Sequence, residues 1–259
     1  MFYLQSYYTD IGTTRKTNQD SLSLVKAQTD FGEVLLAAVC DGMGGHAAGE
    51  LASKYCVKRL CAWFRQRFPV LLYDGRDLSG LLQEELSALV REVNERLASY
   101  GDREKLGMGS TLTAFLFAAD AYYAIHVGDS RGCEITEGVR QITKDQSVVA
   151  EKVRQGLLTE EEARHQKSNV LLESVGVTHT VHPEFYSGRV VPDCCYLLCS
   201  DGFWHHLKQE EYVRYLDGRQ LRDNRQIRMH LNYLTETVKN RGERDNISCV
   251  AVIPVAEEN

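Results

Sequence analysis

Residues 34–50 read VLLAAVCDGMGGHAAGE, and the first seven of them are apolar without a break. A run of that length and composition reads as a strand buried on both faces, and it is far short of the ~20 residues that cross a bilayer. It runs straight into Asp41-Gly42. An ionised carboxylate at the mouth of a buried strand is costly to desolvate unless a cation or a donor compensates it. Beyond the small residues, the stretch 47–68 carries Leu51, Tyr55, Leu60 and Phe64 near helical spacing.

The same arrangement recurs along the chain. Residues 196–200, YLLCS, run into Asp201-Gly202, and residues 124–127, AIHV, end in Gly128-Asp129-Ser130. In reverse order, Asp245-Asn246 leads into 247–252, ISCVAV. Four carboxylates on separate strands can converge at one end of a sheet core, which is what a site for a hard cation requires. Asp-Gly is also a strong turn signal, and any one instance taken alone reads as a turn. Asp74-Gly75 and Asp217-Gly218 follow amphipathic or mixed segments and read as plain loops.

Working outward, the 259 residues hold 30 Lys+Arg against 36 Asp+Glu, a net charge of −6. With no basic run, this balance argues against a nucleic-acid partner, whose phosphates demand clustered positive charge. The N-terminus, MFYLQSYYTD, has neither a basic segment nor a long apolar one, so neither a secretory signal nor membrane insertion is expected, and the default location is cytoplasmic. Eight cysteines lie mostly in apolar runs with no CxxC, and they read as buried thiols in a reducing compartment. No repeats or Pro/Ser-rich linkers interrupt the sequence, and the expectation is one domain over residues 1–259.

Strand-like runs at 2–8, 21–27 and 33–40 precede two amphipathic helices at 47–68 and 78–100. Further strands are expected at 111–118 and 121–127, joined at Ala119-Asp120, and at 133–136 and 139–142. Short helices follow at 146–155 and 159–167, the second opened by Thr159 with Glu162 three residues on, a capping-box pattern. Strands return at 195–200 and 247–254, with helices near 208–215 and 220–241. Strands, then helices, then strands again predict an α+β protein of antiparallel sheets with helices packed outside, not alternating βαβ units.

One rival reading fails on context. Residues 42–47, GMGGHA, match a dinucleotide-binding fingerprint between strand and helix. That unit needs a second parallel strand ending in an acid ~20 residues on, where this chain is still helical, and Asp41 would repel a pyrophosphate.

Seven segments, taken together, resemble the metal-dependent Ser/Thr protein phosphatases of the type 2C class, and in particular their compact bacterial branch. In order they are Gly12-x-x-Arg15-x-x-Asn18-Gln19-Asp20, DGMGGHAAGE at 41–50, GST at 109–111, HVGDSRG at 126–132, ITKDQS at 142–147, LLCSDGFW at 197–204 and RDNIS at 244–248. The resemblance implies two packed antiparallel β-sheets flanked by α-helix pairs. It also implies two Mn²⁺ or Mg²⁺ ions at the strand ends, where Asp41 bridges both, the Gly42 carbonyl ligates one, and Asp201 and Asp245 complete the ligands. Asp129 matches a third, weaker metal position of bacterial members. A bridging water activated by the two ions would attack phosphoserine or phosphothreonine directly, without a phosphoenzyme. Arg15 matches the family's phosphate-binding arginine, and His46 is the candidate general acid, with an unperturbed pKa of about 6.5.

The match departs from the pattern in two places. The family usually has Glu where Gln19 stands, holding a water at the metal centre, and an amide there adds no negative charge; Asp20 is retained beside it. Gln146 replaces a histidine common after Thr-Lys-Asp. Residues 144–180 would form the flap beside the active site. The implied partners are phosphorylated proteins, the products of a Ser/Thr kinase, and the chain is expected to act as a monomer. Gln19 is also the feature that favours the alternative, a catalytically weak regulatory or phosphoprotein-binding module on the same fold.

Overall fold

The computed structural model describes residues 1–45, 47–164 and 170–256. In chain order the elements are β1 (Phe2–Asp10), β2 (Asp20–Thr29), β3 (Gly32–Gly44), α1 (Ala48–Gln66), α2 (Phe68–Leu72), α3 (Leu78–Glu104), β4 (Met108–Ser110), β5 (Leu112–Ala118), β6 (Ala121–Val127), β7 (Arg131–Ile135) and β8 (Val139–Gln141). Then come α4 (Val148–Arg154), α5 (Glu160–Arg164), β9 (Glu184–Arg189), β10 (Cys195–Cys199), α6 (Asp201–Trp204), α7 (Gln209–Leu216), a 3-10 turn (Gly218–Gln220), α8 (Asn224–Asn240) and β11 (Ile247–Val255).

The strands form two sheets in which every pairing is antiparallel. One has the order β1-β11-β10-β7-β8; the other runs β2-β3-β5-β6-β9, with β4 pairing to the end of β3. The unbroken apolar runs follow from burial on both faces. Along β3, Leu35, Ala37 and Val39, beside Phe115 and Phe117 of neighbouring β5, face the other sheet, where they meet Tyr196, Leu198, Val250 and Val252. The alternate residues Val34, Leu36, Ala38 and Cys40 pack outward against α1, α2 and α3. β10 and β11 do the same on the far side, with Leu197, Cys199, Cys249 and Ala251 packed under α7 and α8. Each central strand thus serves two cores, so the pleat leaves it no polar face.

This is the expected α+β architecture, two antiparallel sheets between helix pairs. The sheet connection at Ala119-Asp120 is a two-residue turn with both residues at positive φ, 49° and 60°, the left-handed pair that matches strand twist. The capping box is present: Thr159 accepts from the Glu162 N–H at 3.2 Å, and Glu162 accepts from the Thr159 N–H at 2.8 Å. The helix it opens is described only to Arg164; the expected continuation to 167 lies outside the described residues. The helix expected at 220–241 begins instead at Asn224, where Asp223 caps it by accepting from the Gln226 N–H at 2.7 Å. Asp217-Gly218 is not a plain loop, since Asp217 is buried and starts the 3-10 turn by accepting from the Arg219 N–H. Among the described residues no helix is long and apolar enough to cross a membrane.

Candidate metal centre

Five acidic residues arrive at one end of the sandwich. Asp20 opens β2 and stands opposite Asp41 in the β2–β3 register. Asp129 lies just past the end of β6, Asp201 just past β10, and Asp245 just before β11. The strands' common alignment places these termini together. The sheets are stitched there by Ser200, whose hydroxyl donates to Asp20 Oδ2 at 2.9 Å and accepts from the Ser248 N–H at 3.0 Å.

One local expectation needs correction. Asp41-Gly42 does not end its strand: β3 continues to Gly44 by changing partners, from β2 and β5 to β4. The backbone can pass because residue 42 has no side chain. A Cβ on Gly42 would stand 2.1 Å from the Gly49 carbonyl oxygen and 2.6 Å from that of Gln19. Asp201-Gly202 follows its strand as read from the sequence and opens α6, and a Cβ on Gly202 would lie 2.2 Å from the Asn246 carbonyl oxygen. Asp41 is anchored by its backbone. Its N–H donates to Thr111 Oγ1 at 2.8 Å, its carbonyl accepts from the Thr111 N–H at 2.8 Å, and Thr111 Oγ1 bonds in turn to Ser130.

The electrostatics of the cluster are those of like charges held together. Burial first, and then the charges of Asp20, Asp201, Asp245 and Asp129, push the Asp41 carboxyl well above the usual carboxylate range. Burial and then Asp201 do the same to Asp129. Asp20 is pushed up to about 7, by burial above all, against hydrogen bonds from Ser248 and Ser200. Asp201 is pushed up to about 6, chiefly by burial and then by Asp245. Oδ1 of Asp20 and Oδ1 of Asp201 are both buried without a hydrogen-bond partner. Unpartnered buried carboxylate oxygens are costly, and an oxygen-only set of this kind suits hard divalent cations. The donor set therefore fits Mg²⁺ or Mn²⁺.

Arg15 joins the cluster from the β1–β2 loop. Its guanidinium donates to Asp245 Oδ2 at 2.5 Å while its side chain stays 49% exposed, so it is a rim residue able to meet a solute. Gln19 is buried, and its Nε2 donates to the Gly44 carbonyl at 3.2 Å. His46 lies outside the described residues. Gln146 takes a structural part, with Oε1 accepting from the Gly128 N–H at 2.8 Å beside Asp129.

Three contributors were not assigned a part from sequence. Asn246 is buried, accepts from the Gln19 N–H at 2.8 Å, and donates to the carbonyls of Ile11 at 2.9 Å and Thr17 at 3.1 Å. It therefore ties the loop that carries Arg15 to the strand that follows Asp245. Trp204 donates to the Asp129 carbonyl at 3.2 Å and stacks under the Arg131 guanidinium, 3.3 Å from the ring centroid. Arg131 is itself paired with Asp145 at 2.7 Å. The one signal for Asn246 was its place directly after a strand-opening aspartate.

A family model described as protein phosphatase 2C matches residues 13–242. The chain is 32% identical over 244 residues to the serine/threonine protein phosphatase PstP of Mycobacterium tuberculosis, covering 93% of this chain but only 43% of that one. It therefore spans less than half the length of that relative. It is 30% identical over 251 residues to a serine/threonine phosphatase, stp, of Listeria monocytogenes, covering 95% of this chain and 94% of the relative. Among solved structures it superposes on the catalytic domain of PstP in complex with two manganese ions with a TM-score of 0.79, at 32% identity over 98% of this chain and all of the other.

Proposed function

The chain belongs to the protein phosphatase 2C family, and from that premise we propose that it removes phosphate from phosphoserine and phosphothreonine in proteins with the help of Mn²⁺ or Mg²⁺. The observation that carries the reading is the cluster of five carboxylates at one end of the sandwich, Asp20 and Asp129 buried and Asp41, Asp201 and Asp245 half-buried, with one buried oxygen each of Asp20 and Asp201 unpartnered. Asp41, Asp201 and Asp245, with the Gly42 carbonyl, are the residues assigned to two ions; Asp20 and Gln19 stand beside them, and Asp129 is assigned to a third. When bound, such ions lower the pKa of a coordinated water and neutralise charge on the phosphoryl oxygens.

The chain's own residues do the rest. Arg15, at the rim, presents a planar fork to the phosphate dianion. It also donates to Asp245, holding that carboxylate in place. Direct attack by water is favoured because the nearby hydroxyls are unsuited to attack: Ser110, Thr111, Ser130, Ser200 and Ser248 are essentially inaccessible, and the Ser110, Thr111 and Ser200 hydroxyls are committed to hydrogen bonds. Burial above all raises the Cys199 thiol well above its usual range, and a hydrogen bond with Cys56, followed by burial, raises Cys40, so neither offers a thiolate. His46, one residue before the N-cap of α1, is assigned the proton for the leaving serine or threonine oxygen. Residues 144–180 are assigned to a flap on one catalytic domain, and the enzyme is read as a cytoplasmic monomer opposing a Ser/Thr kinase.

The test follows a radiolabelled phosphothreonine protein with Mn²⁺. Release of inorganic phosphate with no label on the chain in quenched samples is the expected result. Label retained on the chain would overturn direct water attack, and no release at all would favour the binding-module reading.

A further inference from the structure

Beside the carboxylate centre stands a second group of ligand-type side chains of different chemistry. His205, His206 and Glu243 bring their ligand atoms within 4.8 Å of one another. The histidines follow α6 directly, where the His205 N–H still donates to the Asp201 carbonyl at 3.0 Å. Their rings lie 5.3 Å apart and nearly parallel, at 28°. Glu243 comes from the loop between α8 and β11, after Gly242 turns the chain at φ 94°.

Glu243 supplies the independent observation. Its side chain is 9% exposed. Oε1 accepts the N–H groups of Arg244 at 2.7 Å and Asp245 at 2.9 Å. Oε2, by contrast, is buried without a hydrogen-bond partner, and it faces His206 Nε2 at 3.5 Å. Ligands bonded to zinc at about 2.0–2.1 Å in a tetrahedron stand about 3.4 Å apart, so that spacing is one edge of a zinc polyhedron. Arg241 approaches from the side, donating to the His206 carbonyl at 2.7 Å, but its charge is matched by Glu211 at 2.7 Å.

We propose that His205, His206 and Glu243 form a second cation site, selective for a borderline first-row ion of the Zn²⁺ class rather than for Mn²⁺ or Mg²⁺. Imidazole nitrogens suit zinc, nickel and copper, whereas the all-oxygen centre suits hard ions. His205 is exposed and His206 half-buried, which leaves an approach from solvent and room for water to complete the coordination. Because one oxygen of Glu243 holds the Asp245 amide, an ion on the other is placed to bias the loop that carries Asp245. Binding itself does not depend on the phosphatase reading.

The experiment is calorimetric titration of ZnCl2 into EDTA-stripped protein in saturating Mg²⁺, with circular dichroism to verify folding. One Zn²⁺ per chain is expected for the wild type and for Asp201→Asn. His206→Ala and His205→Ala should each weaken binding by more than about 10-fold, the loss that even an outer-sphere partner produces. His205 is exposed, so its variant remains informative if His206→Ala misfolds. Unchanged affinity in the histidine variants, loss of zinc in Asp201→Asn, or no zinc bound by the wild type would each overturn the site. Mn²⁺-dependent phosphate release, measured separately, reports on the other centre.

Discussion

Asp20 and Asp41 face each other across the β2–β3 ladder, two carboxylates in direct cross-strand register at the end of a buried sheet. Like charges so placed destabilise a sheet, and here the stabilising partner is expected to be a cation.

Mn²⁺ should therefore stabilise the fold markedly. At a concentration of 100 Kd the gain is about 2.7 kcal/mol, read as a rise in Tm in thermal melts. Asp41→Asn should raise the Tm of the EDTA-treated protein, by removing repulsion, and abolish the response to Mn²⁺. A variant less stable than wild type in EDTA would contradict the repulsion.

The pH dependence of the EDTA-treated protein has a definite sign. Asp20 and Asp201 are raised to about 7 and about 6 in the folded chain, with burial the leading cause, against about 3.9 when unfolded. The folded state thus holds more protons between these values, so stability falls as pH rises from about 4 through 7. Urea denaturation in EDTA should give a lower midpoint at pH 8 than at pH 5, and Mn²⁺ should reverse the trend by favouring the ionised carboxylates.

Much of this was legible in the sequence, and the gaps have physical causes. β3, β10 and β11 were plain because both faces of each are buried, so each carries an unbroken apolar run. β9 was missed because Glu184–Arg189 is an edge strand, half-exposed and polar, carrying no alternation. The carboxylates could be picked out by strand context, but the strand was expected to end at Asp41, where Gly42 in fact permits a close backbone crossing and β3 runs on to Gly44. Asn246 acts through partners more than 200 residues away, and Glu243 meets His206 from a different part of the chain; no local pattern marks either.

Gly42→Ala should be among the most damaging small substitutions. Its Cβ would strike two carbonyl oxygens belonging to backbone, not to a flexible side chain. Overpacking of this kind costs about 1–3 kcal/mol, and the shift would displace Asp41, so both urea midpoint and turnover should fall. An active, fully stable variant would refute the close crossing.

Arg15→Lys should separate substrate binding from metal binding. The lysine keeps the charge but loses the planar fork, so KM for a phosphothreonine peptide should rise on the order of 10-fold. Affinity for Mn²⁺ should not weaken, because the guanidinium competes with cations for Asp245. Weaker Mn²⁺ binding with unchanged KM would reverse the assignment.

Gln19→Glu should trade stability for charge. A carboxylate adds attraction for Mn²⁺ but cannot donate to the Gly44 carbonyl as Nε2 does. Calorimetry should show tighter Mn²⁺ binding, and thermal melts in EDTA a lower Tm.

The most direct test of the central claim is hydrolysis of a phosphothreonine peptide with Mn²⁺, with Mg²⁺ and with EDTA, for the wild type and for Asp201→Asn. Turnover that requires the cation and is lost in the variant is the expected result. Turnover that persists in EDTA, or that survives in Asp201→Asn at the wild-type rate, would show that the carboxylate cluster is not the catalytic centre.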